Sequence, residues 1–237
     1  MAAAPGNESL QRPALLKQAK ELQATLKALS VADLRKKMHL SADLAEATAA
    51  LIAKWNTRPK QQTAALDAFR GDIYKGLVAE TLTCEQRAYA NETLRILSGL
   101  YGILRPFDGI VPYRLELMYS IAPEGYSSLF DFWGNAIAKT LPKKGTIVNL
   151  ASDEYFRVID RYVDTKRVIE PQFLRRMKPD QEAKFVAVDA KIARGAFARW
   201  LVVTEITDPA RFGEFAEIGF VHCPSGSTPD KPLFIKG

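Results

Sequence analysis

Residues 97–117 read Leu97-Ser-Gly-Leu-Tyr-Gly-Ile-Leu-Arg-Pro-Phe-Asp-Gly-Ile-Val-Pro-Tyr-Arg-Leu-Glu-Leu117. Glycine, proline, tyrosine and arginine are packed more densely here than a plain core element requires. Gly99 and Gly102 flank Leu100-Tyr101, so the backbone can take positive φ or approach another group closely. Pro106 and Pro112 stop any helix and push Arg105 and Val111 into extended geometry. Arg105, Asp108, Tyr113, Arg114 and Glu116 then lie on a rigid, irregular path between two apolar runs, a setting in which loops carry sites. The competing reading is a connection whose arginines pair with Asp108 and Glu116.

Upstream of this stretch the chain is helical. Leu15, Leu16, Ala19, Leu22, Leu26 and Leu29 recur at helical spacing and predict an amphipathic helix over 13–29. Ser30 and Asp33 form a capping signature for a second helix running to Met38, and Ser41 caps a third over 42–55. Only His39-Leu40-Ser41 joins these two, so they form a tight helical hairpin. Residues 1–12 are small and polar and are expected to be disordered. Thr83-Cys-Glu-Gln is a second capping box, opening a helix over 84–94.

Downstream the pattern becomes mixed. Residues 95–100 read as extended, 129–141 as a helix with Phe130, Trp133 and Ile137 on one face, and 147–150 as a short strand. Residues 184–188 alternate like a strand that pairs with 168–173. A helix is expected over 191–205, and closing strands over 219–223 and 233–236. Helices first and mixed strands later give an α+β fold, with an N-terminal helical segment packed on a mixed β-sheet. The expected organisation is a disordered 1–12 and a single domain over 13–237, helical and basic over 13–60 and mixed over 61–237.

The formal charge of +6 favours an anionic partner, and it is segmental. Residues 35–60 hold six basic residues against two acidic, and residues 157–199 hold eleven against six. Arg35, Lys36, Lys37, Lys54 and Arg58 belong to the first tract. Lys191, Arg194 and Arg199 lie on a helix in the second. Lys191 and Arg194 sit at the expected helix start, where the dipole favours anions. Pairing with Asp189 or Glu205 is the alternative for this group. No apolar run approaches the roughly 20 residues that span a bilayer, and no secretory signal is read, so a cytoplasmic location is expected. Cys84 and Cys223 are isolated and fit a reducing compartment. Two histidines and two cysteines are too few for a plausible zinc site or catalytic triad, so no metal and no cofactor are expected.

The 97–117 stretch resembles the hallmark of the bacterial peroxide-stress YaaA family. Three further segments fit in order: FRGDIYKGL over 69–77, VNLASDEYF over 148–156 and AKIARGAFAR over 190–199. The family pattern opens with an apolar strand and a Ser-Pro-Ala-Lys-like loop. This chain opens Met1-Ala-Ala-Ala-Pro-Gly-Asn-Glu, which implies a truncated or divergent N-terminus. The resemblance implies a helix-hairpin-helix-like DNA-binding element at the 30–55 hairpin, although the joint lacks the usual glycine. It implies double-stranded or branched DNA as partner, and a role in coping with hydrogen peroxide by limiting DNA damage or free iron. Protection is expected through binding, not peroxide turnover, because no redox motif is present. The resemblance also brings Tyr101, Arg105, Tyr113 and Arg114 toward Asn149, Ser152, Glu154 and Tyr155. Such a pocket suits a nucleobase, and the alternative function is an enzyme acting on a nucleobase or nucleoside. There an arginine holds an anionic group, Glu154 serves as acid or base and a tyrosine stacks on the base.

Overall fold

Helix formation begins where the leucine spacing and the serine caps predict it. The computed structural model of the chain describes residues 9–56 and 62–237. Helix α1 (Leu16–Lys27) buries Ala19, Leu22 and Leu26 on one face. Helix α2 (Val31–Lys37) starts at Ser30, whose hydroxyl accepts from the Asp33 amide while the Asp33 carboxylate accepts from the Ser30 amide. Helix α3 (Ala42–Lys54) is capped by Ser41, which accepts from the Leu44 amide. The reversal between α2 and α3 is made by His39, at φ 53°. Its left-handed backbone lets the Leu40 amide reach the Arg35 carbonyl at 3.0 Å. A histidine thus occupies the conformation for which glycine is usually chosen.

The expected disorder of residues 1–12 is corrected over its described part, residues 9–12; residues 1–8 lie outside the described residues. The Gln11 amide donates to Phe107 O and Gln11 O accepts from the Gly109 amide, both at 2.8 Å. These bonds satisfy open backbone groups of the 107–109 turn.

Strand β1 (Thr63–Ala64) leads into α4 (Ala65–Ala68), α5 (Asp72–Leu77) and α6 (Cys84–Thr93). Helix α6 carries the expected capping box, Thr83 with Gln86. Buried Arg87 on α6 grips Asp67 of α4 with two bonds of 3.0 and 2.6 Å. The first half of the 97–117 stretch is a hairpin. Strand β2 (Ile96–Ser98) pairs antiparallel with β3 (Gly102–Leu104), and β4 (Gly109–Ile110) pairs with β1. Gly102, at φ 72°, turns the hairpin; a Cβ there would lie 2.8 Å from the Trp133 ring.

The 129–141 helix is shorter than its periodicity suggests. Helix α7 spans Leu129–Trp133 and stops because Gly134 leaves helical space at φ 46°, ψ −129°. Strand β5 (Ile147–Val148) precedes α8 (Asp153–Phe156) and pairs in parallel with β6 (Val168–Ile169). Strand β7 (Gln172–Arg175) precedes α9 (Ala187–Thr204), β8 (Phe220–His222) and β9 (Leu233–Lys236). The last sheet has order β7-β9-β8, with β7 parallel and β8 antiparallel to β9, so it is mixed.

The proposed 184–188 strand is corrected. Lys184 makes a single antiparallel bridge to Arg175, not to 168–173, and α9 has already begun at Ala187. Alternation over so few residues does not separate a strand from a helix start.

The two largest apolar clusters among the described residues organise most of the interior. One joins α1–α3 to the 96–117 segment and Trp133. The other gathers Phe173, Phe197, Phe215, Phe220 and Phe234 between α9 and the mixed sheet. Helices α5 and α9 cross at near-backbone contact. A Cβ on Gly76 would sit 2.0 Å from Ile192 O, and one on Gly195 would sit 1.8 Å from Ile73 O. Only glycine admits that approach.

Candidate nucleic-acid surface and polar cluster

The first basic tract occupies the α2–α3 corner. Arg35, Lys36 and Lys37 fill the last turn of α2, where cations meet the negative end of the helix dipole. Arg35 and Lys36 are exposed. Lys37 is anchored to the 117–121 loop: its Nζ donates to Ser120 O, and its carbonyl accepts from the Ser120 amide. None of the three closes an ion pair with a described residue. Asp33 is near, and its carboxyl is held below the usual range, chiefly by the Ser30 hydrogen bonds and secondarily by Lys37 and Lys36. Lys54 is exposed in the last turn of α3. Arg58 lies outside the described residues.

The second tract divides by role. Lys191 is exposed, whereas Arg194 and Arg199 are half-buried. Because α9 starts at Ala187, Lys191 and Arg194 lie beyond the first turn. The expected help from the helix dipole is therefore lost, since it fades within one turn. Asp189 is not their partner; it pairs with Arg175 at 2.8 Å. Arg199 Nη1 donates to Leu77 O and Val78 O at 3.4 and 3.2 Å. It therefore closes the end of α5, where Val78 turns left-handed at φ 46°.

The eight expected pocket residues distribute over several environments. Arg105 is committed to fully buried Asp108 through Nη2 at 3.0 Å and Nε at 3.3 Å, and its amide donates to the same carboxylate. Burial pushes the Asp108 carboxyl up, and the Arg105 contacts oppose that rise. Tyr101 is buried, and its Oη accepts from Trp55 Nε1 at 2.9 Å. Tyr113 Oη shares a 2.6 Å hydrogen bond with Ser98 Oγ, which also accepts from the Tyr101 amide. Arg114 is exposed, and Asn149 folds back to accept from the Ala151 amide. Ser152 stands at the start of α8.

Glu154 and Tyr155 do converge on the 97–117 stretch. The Tyr155 hydroxyl donates to Glu116 Oε2. Glu116 is thus the partner of a tyrosine, not of Arg105 or Arg114 as the sequence suggested. The Glu154 carboxyl is pushed up by burial and then by neighbouring Glu116, and the nearby Met118 amide opposes that rise. Glu154 Oε1 is buried without a hydrogen-bond partner among the described residues. Burial raises the Tyr113 and Tyr155 hydroxyls far above the ordinary phenol range. Tyr74 of α5 is raised by burial too, and Phe69 stacks on it while meeting Tyr113 edge-on.

Tyr74 and Ser98 carry no separate signal in the sequence beyond their placement inside the ordered motifs. A void of about 10 Å³ beside Tyr113 and Arg114 has room for about one water. A larger cleft of about 310 Å³ lies between residues 10–13, α1, Trp55 and Gly109, and takes in Tyr101 alone of the expected pocket residues.

Together these features define an α+β protein with a basic helical corner. Three motifs meet at a tyrosine–glutamate cluster, and the fourth packs against the first of them through Gly195. The family model for the peroxide stress protein YaaA matches residues 2–225. A UPF0246 protein of Salinispora tropica is 50% identical over 230 residues, covering 97% of this chain and 88% of that protein. UPF0246 proteins of Ruegeria pomeroyi and Cereibacter sphaeroides are 40% and 38% identical over 233 and 238 residues. They cover 94% and 98% of this chain and 90% and 92% of their own lengths. The chain belongs to the peroxide stress protein YaaA family. No helix among the described residues is long and apolar enough to cross a membrane.

Proposed function

We propose that this protein binds double-stranded or branched DNA through the α2–α3 corner, and that its part in the peroxide response is exercised through binding. The observation that carries this reading is the run Arg35-Lys36-Lys37. It is set on a helix end, its first two side chains are exposed, and none of the three is neutralised by an ion pair with a described residue. Such cations neutralise phosphates and release counterions, which makes affinity salt-dependent and sequence-independent. The helix-hairpin-helix-like role of the corner is part of this proposal.

Titration of labelled duplex at several salt concentrations is the direct test. Reversing Arg35 and Lys36 to glutamate is expected to weaken binding to every sequence alike and to flatten the salt slope by about two, one per lost phosphate contact. No binding at low salt would sink the proposal. The nucleobase-enzyme alternative needs Arg105 or Arg114 to hold an anionic group at a base-sized pocket; Arg114 lines a void of only about 10 Å³, and Arg105 is engaged elsewhere. Its guanidinium is spent on Asp108, and Tyr101 is spent on Trp55. Binding is therefore the better-supported reading.

A further inference from the structure

The cleft of about 310 Å³ between residues 10–13, α1 and the end of α3 has the volume of a small-molecule site, at the lower end of that range. Neither Glu116 nor Tyr155 lines it. Buried Pro13, Trp55 and Tyr101 form its deep wall. Exposed Arg12, Lys20 and Gln62 stand at its mouth.

Hydrogen bonds from distant elements hold the walls in place. The backbone of Gln11 is bonded to Phe107 O and to the Gly109 amide, both at 2.8 Å. Arg105 Nη2 donates to Arg12 O at 3.4 Å. Across the cleft, Gln62 Nε2 donates to Gly109 O at 3.3 Å. Trp55 is fixed by its bond to the Tyr101 hydroxyl. A cleft built this way is pre-formed, so a ligand spends little on ordering it.

Charge and shape narrow the ligand. No aspartate, glutamate or histidine is among the described lining residues. Arg12 and Lys20 thus bring two cations to one cleft, and neither closes an ion pair with a described residue. A single carboxylate balances one of them. A phosphate monoester carries a charge of about −1.5 to −2 at neutral pH and balances both. The aromatic and apolar deep wall suits a ring. Gln62 spends one N–H on Gly109 O, which leaves a second N–H and its Oε1 open to a ligand. One open donor beside one open acceptor matches the edge of a nucleobase.

We propose that this cleft binds a free nucleoside monophosphate, with its phosphate at Arg12 and Lys20 and its base against Trp55 and Gln62. The inference goes beyond the DNA-binding reading and does not depend on it. With no carboxylate or histidine among the described lining residues, the cleft is a site of binding and not of turnover.

The test is calorimetric titration of the full chain with adenosine 5′-monophosphate, adenosine and inorganic phosphate. The monophosphate is expected to bind at least about tenfold tighter than either fragment, since only it reaches both the cations and the deep wall. Arg12→Gln and Lys20→Gln are each expected to weaken it about tenfold, the worth of one charge-assisted hydrogen bond. Both side chains are exposed, so the melting midpoint should not move. Saturating monophosphate is expected to leave duplex affinity within about twofold. No binding of the monophosphate at millimolar concentration overturns the proposal and leaves DNA binding standing. So does inorganic phosphate binding as tightly as the monophosphate, or undiminished affinity in both variants. Duplex that displaces the monophosphate would place the cleft inside the DNA interface and overturn it too. Monophosphate bound by a chain that binds no DNA would support the cleft and remove only the DNA reading.

Discussion

The indole Nε1 of Trp55 donates to the Tyr101 hydroxyl at 2.9 Å, and both side chains are buried. One bond thereby joins the end of α3 to the turn of the β2–β3 hairpin. Tyr101→Phe keeps the ring but leaves a buried N–H unpaired. The expected cost is about 1–3 kcal/mol, visible as a lowered melting midpoint. In a double-mutant cycle, Trp55→Phe should cost less in the Tyr101→Phe background than in wild type, since the bond is then already gone. Additive effects would show that the bond contributes nothing.

The α5–α9 crossing gives a second expectation. A methyl on Gly195 would lie 1.8 Å from Ile73 O, and both neighbours are backbone that cannot rotate away. Gly195→Ala must separate the helices and is expected to destabilise by about 3 kcal/mol or more in urea unfolding. Gly76→Ala should behave alike, because its methyl would meet Ile192 O at 2.0 Å. A change under about 0.5 kcal/mol, the level of an ordinary surface substitution, would contradict this packing.

Glu154 sets a pH dependence. Burial and neighbouring Glu116 raise its carboxyl above the ordinary 4.5. The folded state therefore holds this proton more tightly than the unfolded chain, and stability falls as pH rises from about 4.5 through the raised native value. Glu154→Gln keeps the shape without the charge. Its melting midpoint is expected to exceed that of wild type at neutral pH, with the advantage vanishing below pH 4.5. A parallel pair of stability curves across that range would rule the account out.

Most local elements were legible because their signals are local. The Ser30–Asp33 and Thr83–Gln86 boxes start α2 and α6 where the residues placed them. On α9, Ala193, Phe197 and Trp200 are buried as helical spacing implies, whereas Leu201, expected with them, is only half-buried. What failed depended on partners distant in sequence. Gln11 is ordered because the 107–109 turn needs its backbone groups. The start of α9 was missed because Lys184 bridges to Arg175 just before the helix begins. At the candidate site, charge pairing at i, i+3 foresaw Arg105–Asp108. Glu116 finding Tyr155, 39 residues away, could not be read from spacing.

Arg199 and Lys191 offer a final contrast, between a structural cation and a surface one. Arg199 supplies its guanidinium to the Leu77 and Val78 carbonyls, where α5 ends in a left-handed turn. Arg199→Ala strands those acceptors and is expected to cost about 1–2 kcal/mol in stability. Measured at a temperature where the variant is fully folded, its DNA affinity should stay within about twofold, since one lost distant charge screens strongly at physiological salt. Lys191 is exposed on α9. Lys191→Ala should leave the melting midpoint unchanged, weaken DNA binding and flatten the salt slope by about one. Unfolding and anisotropy titrations on the same two variants decide the matter. If Arg199→Ala loses affinity at full stability while Lys191→Ala binds as wild type, the division of the second basic tract into a helix-closing arginine and a phosphate-facing lysine is wrong.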